Sequence, residues 1–179
     1  MNRIFILMLV ALFLSAASGC RNKNNNQDAD AMDTQTAMVV YLAFSEVLAQ
    51  IEYVPNNLKG NIKVTINSPH GGHVDVTGTA TFDEETQKIH WQLTVGWKHY
   101  VYKLGNTDLA FNGTMTYAGN ATATNMTARF VTYPRITVSG TINGTAVNSE
   151  ITFNFMVWVS NNHGSIEGEI NGRSFSVSF

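Results

Sequence analysis

Apolar and polar residues alternate with a period of two along nearly all of the chain after Lys59. Successive side chains of a β-strand point to opposite faces, so this pattern predicts strands with one apolar and one polar face. The polar positions hold mostly Thr, Ser, Asn and Gln, which is typical of antiparallel sheets with one face in water. The apolar positions are, in chain order, Ile62, Val64, Ile66, Val74, Val76, Ala80, Phe82, Ile89, Trp91, Leu93, Val95, Trp97, Leu109, Phe111, Met115, Tyr117, Met126, Ala128, Phe130, Ile136, Val138, Ile142, Ile151, Phe153, Phe155, Val157, Val159, Ile166, Ile170, Phe175, Val177 and Phe179.

Turn signals divide this pattern into nine or ten strands. The Asn-Gly pairs Asn143-Gly144 and Asn171-Gly172 are the strongest, because both central residues of a type I′ turn have positive φ. Further turns are predicted at Asp83-Glu84-Glu85, Gly105-Asn106 and Ala118-Gly119-Asn120. Strands joined by such short connections predict a mainly β fold, in which a curved antiparallel sheet is either an open meander or a closed barrel.

One amphipathic helix is predicted ahead of the strands, over residues 36–54. Its apolar residues recur at spacings of three and four, as Val40, Phe44, Val47, Leu48, Ile51 and Val54. Asp33 or Thr34 can cap its start, and Pro55 ends it because the residue before a proline disfavours the α conformation. The apolar stripe is wide, so we expect this N-terminal helix to pack on the apolar face of the sheet.

The chain opens with a segment that has the layout of an export signal. Arg3 precedes an apolar stretch over residues 4–17, and the small residues Ala17, Ser18 and Gly19 precede Cys20. This region resembles the lipobox of bacterial lipoproteins, in which small residues precede an invariant cysteine. The resemblance implies that residues 1–19 are removed as a signal peptide. It also implies that Cys20 carries acyl chains such as palmitate and anchors the protein in a membrane.

The same resemblance implies a location in the bacterial cell envelope. Arg21, in place of Asp, follows the cysteine, which resembles the pattern of delivery to the outer membrane. Two other interpretations of Cys20 stay open: a free thiol after ordinary cleavage, or an uncleaved anchor. The apolar stretch of about 14 residues is shorter than the roughly 20 that a spanning helix needs. Residues 20–35 are polar and predict a disordered tether, and residues 36–179 predict a single β-rich domain.

Composition and motifs argue against several classes of function. The chain has 11 Lys and Arg and a net charge of −2, and the basic residues are scattered. Binding to nucleic acid needs clustered basic residues, so no nucleic-acid partner is expected. The sequence contains no nucleophile elbow, phosphate loop or dinucleotide fingerprint. We therefore predict a protein that is not an enzyme and that uses no cofactor.

Four glycines stand where the alternation calls for an apolar side chain: Gly78, Gly113, Gly140 and Gly168. Such glycines either let a strand curve or leave room for a ligand. If the sheet curls around its aromatic residues without packing them tightly, those residues line a cavity for an acyl chain or another apolar ligand. The candidate ligand-binding residues are Trp91, Trp97, Phe111, Phe130, Phe153 and Phe155.

A glycine-rich turn at residues 68–75 contains the best candidate for a metal site. His70, His73 and Asp75 lie close enough in sequence to reach one ion. Zinc normally takes three or four protein ligands, so a histidine from elsewhere would have to complete the site. The alternative is a turn whose histidines face water.

These observations together predict a non-catalytic, lipid-anchored envelope lipoprotein. Its expected partners are the membrane, through the lipid anchor, and either an apolar small molecule or another envelope protein. One alternative is an outer-membrane β-barrel protein, because strands of about ten residues and a terminal aromatic such as Phe179 are typical of that class. The other alternative is a metal-binding envelope protein.

Overall fold

The structure is a computed structural model that describes residues 60–161 and 163–178. These residues form nine antiparallel β-strands. The strands are β1 (Gly60–Asn67), β2 (His73–Asp83), β3 (Lys88–Leu104), β4 (Thr107–Ala121), β5 (Asn125–Ile142), β6 (Thr145–Ile151), β7 (Phe153–Ser160), β8 (His163–Ile170) and β9 (Arg173–Ser178). The predicted signal peptide, Cys20, the tether and the helix over residues 36–54 lie outside the described residues.

The strands follow one another across a single sheet, as expected for an up-and-down meander. Strands β6 and β7 lie end to end along one edge of β5, so nine strands fill eight positions. The outer positions belong to β1 and β9, and within the described part of the chain these two strands do not pair with each other. The prediction of a mainly β antiparallel sheet is therefore confirmed. Of the two forms that the sequence allowed, the described residues adopt the open meander and not a closed barrel.

The three central strands are long, and they bend at irregularities in their pairing. The register of β3 and β4 shifts between Trp97 and Tyr100, where His99 has a φ of 51°. The N–H of His99 donates a hydrogen bond of 2.8 Å to Oδ1 of Asn112, so the extra residue is tied to the neighbouring strand. The register of β4 and β5 also shifts, between the pair Gly113–Ile136 and the pair Met115–Thr132. Such bulges bend a strand and increase its twist, which lets the sheet curve.

The predicted separation into two faces is present in strands β1 to β7, whose side-chain burial the structure describes. The apolar face, as we call it, contains the residues that alternate toward the protein interior, and its largest fully buried side chains include Trp97, Tyr100 and Phe111. The polar face lies opposite and carries mainly Thr, Ser, Asn and Gln. Burial on one side of a pleated strand follows from the period of two, so the local pattern decides which face is which.

The hairpin turns confirm most of the turn predictions and contradict one. Asn143 and Gly144 have φ of 49° and 80° and form the predicted two-residue turn between β5 and β6. The prediction of a turn at Ala118-Gly119-Asn120 is wrong, because β4 continues through these residues to Ala121. Gly119 lies on the apolar face opposite Trp91, and the Trp91 ring and the backbone of β5 take the space of the missing side chain.

Close approach between strands explains a glycine such as Gly78. Its φ is 150°, and a Cβ atom at this residue would lie 2.1 Å from the carbonyl oxygen of Gln92 and 2.8 Å from Cα of Leu93. No side chain fits there, since the backbone of β3 occupies the space. Of the two roles predicted for the inward glycines, curvature with close strand contact is the one that this position supports.

Candidate functional site

A ladder of aromatic rings crosses the apolar face from β3 to β7. Tyr117, Phe130 and Phe155 are partners in the register of β4, β5 and β7. Their rings stack with centroids 4.5 Å and 4.9 Å apart and interplanar angles of 23° and 25°. Trp91 extends the ladder at one end, 5.4 Å from Tyr117, and Phe153 lies 5.1 Å from Phe155 at the other. We call these five residues the aromatic ladder.

A second aromatic cluster lies further along the same face and is tightly packed. The Trp97 ring lies 5.4 Å from Tyr100 in an edge-to-face contact and 5.6 Å from Phe111. Trp97 is 2% exposed and Phe111 is 0% exposed. Side chains buried to this degree contact protein atoms on all sides, so a ligand would reach them only by displacing part of the core.

The six predicted ligand-binding residues therefore fall into two groups. Trp91, Phe130, Phe153 and Phe155 lie in the aromatic ladder, whereas Trp97 and Phe111 belong to the packed cluster. Tyr117 completes the ladder but was not among the predicted site residues. The apolar pattern of β4 placed it on the correct face, but only the register between β4 and β5 shows that it stacks on Phe130.

The Trp91 end of the ladder is only partly covered. Trp91 is half-buried, and its partners in the neighbouring strands are the small residues Ala80 and Gly119. The next row toward the end of the sheet contains Ile89 and Met126, which are also half-buried. An apolar rim with small residues around one large ring is a surface on which an apolar molecule can lie.

The indole N–H of Trp91 adds a polar feature to this apolar rim. Its Nε1 atom is buried and has no hydrogen-bond partner within residues 60–161 and 163–178. An indole N–H is a donor only, and leaving a buried donor unsatisfied costs about 1–3 kcal/mol. A ligand that carries an acceptor atom, and that displaces the side chains covering Nε1, would remove this cost. The rim therefore combines apolar side chains with one directed hydrogen-bond donor.

The structure brings together two of the three predicted metal ligands. Nε2 of His73 lies 3.5 Å from Oδ2 of Asp75, and the hydroxyl of Thr65 donates a hydrogen bond of 2.7 Å to Oδ1 of the same carboxylate. The backbone N–H of His70 instead donates to Oγ of Ser68 in the preceding turn. Among the described residues, no group of three or more His, Cys, Asp or Glu side chains is placed so that it could hold a metal ion.

No helix within the described ranges is long and apolar enough to cross a membrane. Comparison with known proteins finds no matching family model, no matching curated protein and no matching solved structure. The case for a function therefore depends on the geometry of the aromatic ladder and on the pattern of the sequence.

Proposed function

We propose that this chain is a membrane-tethered, non-catalytic binding protein of the bacterial envelope that holds an apolar ligand at the Trp91 end of the aromatic ladder. The observation that carries this proposal is the environment of Trp91. Its ring is half-buried at the open end of the ladder, and its buried N–H lacks an acceptor in the described part of the chain. An apolar ligand with an acceptor oxygen complements both properties.

An acyl chain with a carbonyl or carboxylate group has this chemistry. The chain would lie against Ile89 and Met126. The oxygen would displace the side chains that cover the buried Nε1 of Trp91 and accept its hydrogen bond. Each CH₂ group removed from water contributes about 0.8 kcal/mol, so a few contacts of this kind give measurable affinity. The single hydrogen bond then selects the orientation of the ligand.

The membrane tether is the second part of the proposal, and its support is the lipobox-like sequence before Cys20. Acyl chains on one cysteine hold a domain at a membrane surface without a spanning helix, because two or more chains give stable anchoring. Full-length protein expressed in bacteria that are fed an alkyne-tagged palmitate should acquire the tag, and Cys20→Ser should abolish it. A tag that persists in the variant would contradict this part alone.

Ligand binding is tested with full-length protein purified from bacterial membranes in a mild detergent that is removed in the gas phase. Native mass spectrometry with added palmitic acid should show one bound molecule. Trp91→Phe keeps the ring but removes the N–H, and it should weaken binding about tenfold, because one hydrogen bond contributes roughly 1–1.5 kcal/mol.

The matched control is Trp158→Phe, which makes the same change on the polar face of the sheet. It should bind palmitic acid like the parent protein. The proposal fails if no adduct forms, or if the Trp91 and Trp158 variants bind equally well.

A further inference from the structure

Two large apolar side chains lie exposed on the polar face, next to each other on β7. Met156 is 47% exposed and Trp158 is 46% exposed. Both alternate away from the buried residues of β7, so they belong to the face that elsewhere carries hydroxyl and amide groups. Exposure of a large apolar side chain to water is unfavourable. Exposed apolar side chains surrounded by polar residues can therefore mark a binding surface.

Small polar side chains flank Trp158 on both sides. Its register partners are Thr127 in β5 and Ser165 in β8, and Thr127 pairs in turn with Asn120 of β4. This row places hydroxyl and amide groups beside the exposed indole of Trp158. Thr and Ser are short, and Trp158 stays 46% exposed between them.

The adjacent row adds charged groups of both signs. Met156 lies between its register partners Arg129 and Glu167. Nε of Arg129 donates a hydrogen bond of 3.1 Å to Oδ1 of Asn154, which reduces the freedom of the guanidinium group. The charges of Arg129 and Glu167 balance, so this row offers hydrogen-bonding groups without a net charge.

We propose that this part of the polar face binds a saccharide chain, with Trp158 as the stacking platform. A pyranose ring has an apolar face of C–H groups and a rim of hydroxyl groups, each of which can donate and accept a hydrogen bond. The negative face of an indole attracts those C–H groups. Thr127, Ser165 and Asn120 supply matching donors and acceptors at the rim.

The composition of the patch favours a saccharide over a protein or a membrane. A standard protein interface buries about 800 Å² on each partner around an apolar core, and here the apolar surface consists of two side chains. Surface binding to a bilayer needs a broad apolar face with basic residues around it. Arg129 is offset by Glu167, and the exposed Glu169 follows on the same strand. This site lies on the opposite face from Trp91, so it is independent of the acyl-ligand proposal.

Isothermal titration calorimetry of the full-length protein tests the inference, with cellohexaose, maltohexaose, xylohexaose and chitohexaose as probes. At least one of the four should bind. Trp158→Ala should weaken that binding about tenfold or more, since stacking on an aromatic ring contributes on the order of 1 kcal/mol or above. Trp158→Tyr should retain a part of the affinity, and Trp91→Phe should leave it unchanged.

Two further measurements make the outcome decisive. Circular dichroism melting of the Trp158 variants should match the parent protein, because the side chain is exposed. Cosedimentation of the Cys20→Ser chain with vesicles of phosphatidylethanolamine and phosphatidylglycerol should not depend on Trp158. The proposal is overturned if none of the four sugars binds at millimolar concentration, if Trp158→Ala binds like the parent, or if Trp158→Ala affects vesicle binding alone.

Discussion

Trp91 and Gly119 face each other across β3 and β4, and the indole of Trp91 lies over the glycine. A Cβ atom at residue 119 would lie 2.7 Å from Cζ2 of the indole, which is closer than such atoms approach in proteins. The glycine therefore makes room for the ring at the open end of the aromatic ladder. This relationship links a residue of the candidate ligand site to the packing of the sheet.

The first prediction follows from this contact. Gly119→Ala should lower the free energy of unfolding by about 1–3 kcal/mol, as overpacking does in other proteins. The added methyl group would also meet the carbonyl oxygen of Thr127 at 2.3 Å. Urea denaturation measures the change. The matched control is Gly96→Ala in β3, where the nearest atom is Asp75 O at 3.7 Å, an ordinary contact. Equal destabilisation by the two variants would show that neither the indole nor the Thr127 carbonyl limits the space at residue 119.

Substitutions at Gly144 and Gly78 distinguish the effect of backbone strain on stability from that of steric overlap. Gly144 has a φ of 80° and no atom within 4 Å of a Cβ position. Gly144→Ala should therefore lower the free energy of unfolding only through backbone strain, by about 1–2 kcal/mol. Gly78→Ala should cost more, because its φ of 150° is combined with overlap on the backbone of β3. Thermal and urea unfolding of both variants should rank Gly78→Ala as the less stable. The reverse order would contradict the close contact between β2 and β3.

Ser68 links the turn before β2 to the C-terminal part of β3. Its buried hydroxyl donates to the carbonyl oxygen of Val101 and accepts a hydrogen bond of 3.0 Å from the N–H of His70. Ser68→Ala removes both interactions and should lower the free energy of unfolding by about 1 kcal/mol or more. Hydrogen exchange at His70 should become faster. Ser139→Ala changes an exposed serine of β5 and should leave both measurements unchanged; a similar loss there would point to a general effect of removing serine hydroxyls.

Hydrogen bonds to Asp83, in the turn between β2 and β3, lead us to expect that the stability of the fold depends on pH through this residue. The hydroxyl of Thr86 donates a hydrogen bond of 2.6 Å to Oδ2, and the N–H groups of Thr86 and Glu85 donate to Oδ1 at 3.3 Å and 2.9 Å. These bonds, with the Thr86 hydroxyl first, hold the pKa of Asp83 below its ordinary value of 3.8. A carboxyl group whose pKa is lower in the folded state stabilises the fold above its unfolded pKa, and this contribution is lost as the pH falls through the folded pKa.

Thr86→Val should therefore raise the pKa of Asp83 toward 3.8 and reduce the loss of stability that acid causes below about pH 4. The carboxyl carbon shift of Asp83, followed by NMR between pH 2 and 6, measures the change. Thr86→Ser keeps the hydroxyl and should titrate like the parent protein. An unchanged pKa in Thr86→Val would show that the backbone bonds alone hold the carboxylate.

The sequence determined the local features of the described sheet. The period of two placed Val74 and Phe111 on the buried face, because alternation is a property of the extended backbone itself. The turn at Asn143-Gly144 was predictable for a similar reason, since positive φ at two successive residues restricts the residue types that fit. The lipid anchor at Cys20 and the helix over residues 36–54 stay predictions from the same kind of local pattern.

Relations between strands were decided only by the tertiary structure. The sequence pattern did not distinguish an open sheet from a closed one, because closure depends on how curvature accumulates over eight strand positions. It predicted a turn at Gly119, because the contact with the Trp91 ring of the neighbouring strand is not visible in the local sequence. It also did not show which aromatic residues form a ladder or that Trp158 stands among short polar neighbours. Those facts depend on register, which is set by pairing between residues distant in sequence, and no local pattern carries that information.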